Sequence, residues 1–134
     1  MERILVGIGP HTRNLWAAAH ALGLARRLQA RVIFLWVEEA GEGDAYRRRQ
    51  LEELIEQARS QGLAVEYYRG QGDYVEELVR LVEEHRVTLL VLDQPSARRG
   101  GSGEGASLID NIRHRVDCRI EVVQETGRGP AGSA

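Results

Sequence analysis

The sequence has few of the features that mark disulfide-bonded proteins, membrane proteins or nucleic-acid-binding proteins. Its one cysteine, Cys118, excludes an internal disulfide and any multi-cysteine metal site. No apolar run approaches the roughly 18–20 residues needed to span a bilayer. Residues 1–10 lack the basic region and cleavage site of a signal peptide. The formal net charge of −2 argues against non-specific nucleic-acid binding. We therefore expect a soluble, cytoplasmic protein without membrane insertion or a nucleic-acid partner.

The sequence does contain enough apolar residues for one packed domain. It has 134 residues, of which 43% are hydrophobic. Short apolar runs alternate with segments whose apolar residues recur at helical spacing. The apolar runs predict five strands, at residues 2–9, 31–38, 63–68, 87–93 and 118–124. Asp73 is a plausible N-cap for the third helix, and Trp16 and Trp36 are expected in or near the core.

Strict alternation of strands and helices predicts an α/β fold with a parallel sheet and helices on both faces. We expect residues 1–125 to form a single domain and residues 126–134, which have nothing to bury, to be disordered. In such sheets ligands bind beyond the C-terminal ends of the strands. The glycine-rich loop at residues 96–107 therefore lies at the predicted ligand crevice.

Few residues suggest catalysis or metal binding. The four histidines lie too far apart in sequence to form a helical metal-binding pair: His11, His20, His85 and His114. A triad of Ser96, His11 and Asp93 can be drawn, but no G-x-S-x-G nucleophile elbow is present. We expect no catalytic residues and no metal, and a small hydrolase is retained only as an alternative.

The order of segments resembles the universal stress protein family over nearly the whole chain. The resemblance rests on ILVGIG, RVIFLWVE, LLVLD, a glycine-rich loop and SLIDNIRHRVDCRIEVV. It implies a doubly wound sheet of strand order 3-2-1-4-5, dimerisation that often uses the last strand, and ATP binding in one subgroup. A regulatory, stress-response role without enzymatic activity is the function that it implies for this chain.

A narrower resemblance concerns the stress-protein-like input domain of potassium-responsive sensor histidine kinases. VGIGPHT, WVEEA and GQGDYVEELVRLVEEHRVTLLVLDQPSARR are similar to segments of that domain. It implies an alternative function, that of a free-standing relative of a sensor's input domain. Such a relative would bind a signalling nucleotide, either ATP or a cyclic dinucleotide, or a sensor or transporter partner.

The family's nucleotide-binding positions are mostly altered in this chain. Gly9 stands where the ATP-binding subgroup has an adenine-contacting aspartate. The Gly-x-x-Gly, nine residues, Gly-Ser/Thr motif falls on Asp93, Ser96, Ala106 and Ser107, so that only the last serine is retained. Val37, at the end of the second strand, completes these positions. A carboxylate ~4 Å from a phosphate charge repels it by about 4 kcal/mol at an effective dielectric near 20. We therefore expect weak or absent ATP binding in the usual pose, and no cofactor.

The loop still offers groups that favour anions. Arg98 and Arg99 add forked donors, and Gly101 and Gly103 can present backbone N–H groups. Ser107 is expected to begin the fourth helix, whose N-terminus also favours an anion. Three interpretations remain open, namely a solvated loop without a ligand, an atypical nucleotide such as a cyclic dinucleotide, and a protein partner.

The last strand suggests a homodimer. Ile120 and Val122 alternate with Arg119 and Glu121. If this edge strand meets its copy antiparallel, the alternating charges can pair across a two-fold axis. The competing interpretation is that the two charges keep an exposed edge from pairing at all.

Overall fold

The computed structural model describes residues 2–9, 12, 14–38, 45–94 and 102–123, with the backbone alone for residues 102–107. Strands and helices alternate throughout this part of the chain. The strands are β1 (Arg3–Ile8), β2 (Arg31–Glu38), β3 (Val65–Gln71), β4 (Leu89–Asp93) and β5 (Arg119–Val123). The helices are α1 (Trp16–Leu28), α2 (Ala45–Ser60), α3 (Tyr74–His85) and α4 (Ser102–Arg115). The predicted tail at residues 126–134 lies outside the described residues.

The five strands form one sheet in the order β3-β2-β1-β4-β5, and every neighbouring pair is parallel. Gly7 in β1 lies opposite Leu35 in β2 and Leu92 in β4. The predicted fold class and strand order are confirmed. β1 is the central strand, and the chain switches from one side of it to the other between β3 and β4.

Both faces of the sheet are buried, which explains why the strands are continuous apolar runs rather than alternating ones. On the face covered by α1 and α2, the side chains of Ile4, Val6 and Ile8 pack into one apolar cluster. On the face covered by α3 and α4, Leu5 packs into the other. None of the four helices in the described part of the chain combines the length and the apolar character that a membrane span requires.

Several element boundaries differ from the sequence prediction because helix ends use residues that looked like strand. Leu63 N–H donates to the Ala58 carbonyl and closes the end of α2, so β3 begins only at Val65. Val87 N–H donates to the Val82 carbonyl in the same way at the end of α3. These bonds satisfy carbonyls that a helix end leaves without partners.

The helix termini follow familiar capping rules. Asp73 Oδ2 accepts a hydrogen bond from the Glu76 N–H at 2.9 Å, so the predicted N-cap of α3 is confirmed. α1 and α3 are followed by the C-cap residues Gln29 and Arg86, which have left-handed φ angles of 56° and 53°. This conformation is the usual one after a helix, but glycine normally occupies it.

Candidate functional site

The strand-end site lies where β1 and β4 finish. Because strand order reverses beside β1, this is the edge at which open α/β sheets bind ligands. We define the strand-end site by four side chains or backbone positions that the structure links to one another: Gly9, Thr12, Tyr74 and Asp93.

Asp93, the last residue of β4, is tied to the beginning of α1. Its Oδ1 accepts a hydrogen bond from the Ala17 N–H at 3.0 Å. The N-cap residue of α1, Leu15, provides no side-chain cap, and the first turn contains no acidic residue. Asp93, which is distant from α1 in the sequence, therefore supplies the negative charge and the hydrogen-bond acceptor that stabilise a helix N-terminus.

The turn after β1 is closed by reciprocal hydrogen bonds. The Gly9 N–H donates to Thr12 Oγ1 at 3.1 Å, and the Thr12 N–H donates to the Gly9 carbonyl at 3.0 Å. Thr12 is only 6% exposed. Because both partners are satisfied within the turn, Gly9 is held in a fixed position at the end of β1.

Tyr74, the first residue of α3, covers the end of β1. Its hydroxyl donates to the Gly7 carbonyl at 3.0 Å, and the residue is 8% exposed. A Cβ placed on Gly9 would lie 2.6 Å from Tyr74 Cδ1. A Cβ placed on Gly7 would lie 2.9 Å from the Tyr74 hydroxyl oxygen and 2.6 Å from Leu78 Cδ2. The phenol thus lies against bare backbone.

The electrostatics join Tyr74 to Asp93. Burial raises the pKa of the Tyr74 phenol, and the negative charge of Asp93 raises it further. Both effects disfavour the phenolate. Tyr74 is therefore a neutral hydrogen-bond donor, which is the form that its bond to the Gly7 carbonyl requires.

The end of β2 belongs to the core and to a surface ion-pair cluster. Val37 is 2% exposed and packs into the apolar cluster on the α3 and α4 face. Glu38 Oε2 accepts from Trp36 Nε1 at 3.1 Å and from Arg48 Nη1 at 2.6 Å. The Trp36 indole and then Arg48 hold the pKa of Glu38 below its usual value. Val37 directly follows Trp36, which is in register with Ile8, so it lies beside Gly9 and packs into the same apolar cluster as Tyr74.

The sequence-predicted site residues are brought together only in part. Gly9 and Asp93 both lie in the strand-end site. Ser96, Arg98, Arg99 and Gly101 lie outside the described residues. Gly103, Ala106 and Ser107 lie within α4, which begins at Ser102.

The prediction that Ser107 begins the fourth helix is therefore wrong. The large apolar residues of this segment begin only at Leu108, and an apolar stripe indicates where a helix is buried rather than where it begins. The backbone N–H of Ser107 consequently lies beyond the first four helical residues, whose N–H groups are the ones without intrahelical partners.

The charges of the last strand have partners within the chain. Arg119 Nη2 lies 3.4 Å from Glu2 Oε2, and His20 Nε2 lies 3.1 Å from Glu121 Oε2. Ile120 and Val122 are half-buried against the α3 and α4 cluster. Any pairing of Arg119 with Glu121 across a two-fold axis would compete with these two contacts.

One residue expected in or near the core lies at the surface. Trp16 is 41% exposed and, with the exposed Tyr46, lines a groove of 630 Å³ between α1 and α2. Trp16 is the first residue of α1, where its N–H donates to Asn14 Oδ1 at 2.9 Å. Among the side chains that the structure describes, no three His, Cys, Asp or Glu residues form a group that could hold a metal ion.

Two members of the site were not predicted from the sequence, namely Tyr74 and Thr12. A signal for Tyr74 was present, because Gly7 and Gly9 are two residues apart and so lie on the same face of β1. Paired glycines on one face of a strand indicate that another group approaches the backbone closely. The identity of that group follows only from the three-dimensional structure.

Comparison with solved structures identifies the fold. A universal stress protein in complex with cAMP superposes with a TM-score of 0.68 at 17% identity, covering 93% of this chain and 98% of that one. A universal stress protein from Archaeoglobus fulgidus gives 0.71 at 19% identity, over 92% of this chain and 44% of that one. A universal stress protein family protein from Arabidopsis thaliana with AMP bound gives 0.57 at 12% identity, over 98% and 97%.

The fold is therefore that of the universal stress proteins, and this part of the resemblance is confirmed. No family model matches the sequence, and no curated protein matches it. The narrower relation to sensor-kinase input domains stays a prediction.

Proposed function

We propose that this protein is a non-enzymatic, cytoplasmic regulatory protein of the universal stress type whose strand-end site does not take ATP in the usual pose. The hydrogen bond between Asp93 Oδ1 and the Ala17 N–H carries the proposal. Because the Asp93 carboxylate caps α1, it is held at the end of β4. The family resemblance puts the first glycine of the phosphate-binding motif at this position.

The held carboxylate works against a phosphate in two ways. At ~4 Å and an effective dielectric near 20, it repels a unit negative charge by about 4 kcal/mol, which corresponds to roughly a thousandfold in affinity. Rotating the carboxylate away would remove the cap from α1. Solved structures of the same fold contain cAMP or AMP, so the fold can hold a nucleotide. In our proposal, Asp93 is the residue that sets this chain apart from those proteins.

Calorimetric titration with ATP and with inorganic tripolyphosphate tests the proposal. Tripolyphosphate isolates the phosphate side of the site because it has no base. We expect the wild-type protein to bind both ligands no tighter than millimolar, and Asp93→Asn to bind tripolyphosphate at least tenfold more tightly. The control is Asp117→Asn, which removes one exposed charge elsewhere and should change the affinity less than twofold. Low-micromolar ATP binding by the wild type would contradict the proposal, as would an unchanged affinity in Asp93→Asn.

The alternative function is binding of a signalling nucleotide or of a sensor or transporter partner. The groove with the exposed side chains of Trp16 and Tyr46 supports a partner, because exposed aromatic residues are enriched at interfaces. A thermal-shift screen with cyclic di-AMP, cyclic di-GMP, AMP and ATP tests the nucleotide arm. Turnover of ATP or of an activated ester above the buffer rate would replace both functions with that of a small hydrolase.

We also propose a homodimer formed through the edge strand β5, in which Arg119 of each copy meets Glu121 of the other. Arg119→Glu should then yield a monomer of 15.0 kDa in sedimentation at tens of micromolar, because it places like charges opposite each other. The charge swap Arg119→Glu with Glu121→Arg should restore the dimer. A wild-type protein that sediments only as a monomer would rule out this arrangement.

A further inference from the structure

Toward the C-terminal end of β1, the positions on one of its faces are glycines and carry no side chain. Leu5 on this face is fully buried among residues of α3 and α4, whereas Gly7 and Gly9 follow at the next two positions on the same face. Neither glycine has a left-handed φ angle. Glycine is therefore needed here for space and not for an unusual backbone conformation.

The space is filled by the side chain of Tyr74. Asp73 caps α3 and so fixes the position of the next residue at the beginning of the helix. The Tyr74 ring lies against Gly9, and its hydroxyl reaches back to the Gly7 carbonyl at 3.0 Å. A flat ring with a hydrogen-bond donor at its far end thus lies on the central strand, beside the point where strand order reverses.

We infer that Tyr74 is an internal substitute for a planar ligand, which closes the strand-end site to aromatic rings and determines what the site accepts. The inference rests on the proposed function, since it takes this edge of the sheet as the place where a ligand would bind. An apolar contact alone could be made by another leucine, as at Leu5. The paired glycines instead form a flat slot, and the Gly7 carbonyl is the acceptor at its end.

Removing the ring should therefore create a slot of defined chemistry. Its floor is the backbone of Gly7 and Gly9, and Leu78 and Leu92 border it. Apolar cavities of this kind bind aromatic molecules when a large side chain is deleted. The class that fits is a neutral planar ring with one N–H or O–H donor for the Gly7 carbonyl.

The first test uses Tyr74→Ala with p-cresol, which is the missing side chain, and with adenosine, which has a base but no phosphate. We expect the melting temperature of the variant to fall by roughly 10–18 °C. Millimolar p-cresol and adenosine should each recover at least ~2 °C of that loss. Neither should shift the wild type, nor Tyr74→Phe, which keeps the ring. Tyr67→Ala is the control because it removes a second tyrosine, which is partly buried, without opening the slot.

A double-mutant cycle provides a second, ligand-free test. Gly9→Ala should lower the melting temperature of the wild type by about 4–10 °C, because its Cβ would lie 2.6 Å from the Tyr74 ring. In the Tyr74→Ala protein the same change should cost less than ~2 °C. If Tyr74→Ala does not fold, Tyr74→Val replaces it in both tests, since it also removes the flat ring and its short side chain leaves room in the slot.

Equal costs of Gly9→Ala in both backgrounds, or a Tyr74 variant that neither aromatic probe protects, would overturn the inference. Adenosine binding by the wild type would also overturn it, because the slot would then be open already. That result would leave the phosphate side of the proposed function standing, since tripolyphosphate tests it without a ring. Conversely, tight tripolyphosphate binding by the wild type would contradict the proposed function, but it would not change the result expected from the double-mutant cycle of Gly9 and Tyr74.

Discussion

Replacing Asp93 tests whether a strand residue caps a distant helix. Asp93→Ala removes both the acceptor for the Ala17 N–H and the negative charge at the beginning of α1. Loss of a capping acceptor costs about 1 kcal/mol, and loss of a favourable charge at a partly buried helix end costs up to roughly another 1 kcal/mol. Asp93→Asn keeps an oxygen acceptor and loses only the charge. We therefore expect free energies of unfolding lower by about 2 kcal/mol for Asp93→Ala and about 1 kcal/mol for Asp93→Asn.

These losses are measurable in a protein of this size. For 134 residues, an unfolding entropy of roughly 2.1 cal/mol/K per residue converts 1 kcal/mol into about 3–4 °C in melting temperature. Urea unfolding followed by circular dichroism gives the free energies. Hydrogen exchange of the Ala17 amide gives a readout specific to the bond, and it should accelerate in Asp93→Ala.

The matched control is Asp73→Ala, which removes the cap of α3. It should destabilise the protein by a similar amount but leave exchange of the Ala17 amide unchanged relative to global stability. An Asp93→Ala protein as stable as the wild type, with the Ala17 amide equally protected, would refute the capping role. A gain of stability in Asp93→Asn would show that holding the charge costs more than the cap contributes.

Two further predictions concern pH. The Arg115 guanidinium, which binds both carboxylate oxygens of Glu76 at 3.0 Å, holds the pKa of Glu76 below its ordinary value of 4.5. The stabilisation is complete above pH 4.5 and is lost as the pH falls through the lowered value, so wild type and Glu76→Gln should differ in urea unfolding at pH 6, and this difference should shrink as the pH falls below 4.5. Burial, followed by the bond to Glu52, raises the pKa of Tyr67 above its ordinary 10.0. The contribution of the neutral Tyr67 phenol to the free energy of unfolding is complete below pH 10 and is lost as the pH rises above 10. Tyr67→Phe should therefore lose less stability than wild type between pH 9 and 11. Parallel plots of the free energy of unfolding against pH for the two proteins would contradict this.

The fold could be predicted from the sequence because burial of both faces of the sheet produces a simple pattern of apolar residues. Each strand is an apolar run, each helix has an apolar stripe, and their alternation leaves few topologies. The boundary errors have a common cause. Leu63 and Val87 are apolar, but their N–H groups close the preceding helices. Trp16 is apolar as well, yet as the first residue of α1 it lies beside a groove and not under the helix.

The site was predicted less completely. Gly9 and Asp93 could be placed at one edge because parallel strands end at the same side of a sheet. The paired glycines indicate that a group approaches β1 closely, but neither the cap on Ala17 nor the identity of Tyr74 as that group was foreseeable. These contacts join residues 76 and 67 positions apart, and they depend on where α1 and α3 begin relative to the sheet. The spacing of residues in the sequence shows which residues are neighbours within one helix or strand. It does not show which helix N-terminus contacts which strand C-terminus.

The left-handed residues that end α1 and α3 have a practical consequence for studying this protein. A side chain at Gln29 or Arg86 is less favourable in that conformation than glycine by about 1–2 kcal/mol, and the added freedom of glycine in the unfolded chain offsets about 0.4–1 kcal/mol of this. Both residues precede strands, so they lie at the opposite edge of the sheet from Asp93 and Tyr74. A parent carrying Gln29→Gly and Arg86→Gly should thus tolerate heavier mutagenesis than the natural chain while its ligand edge is left untouched.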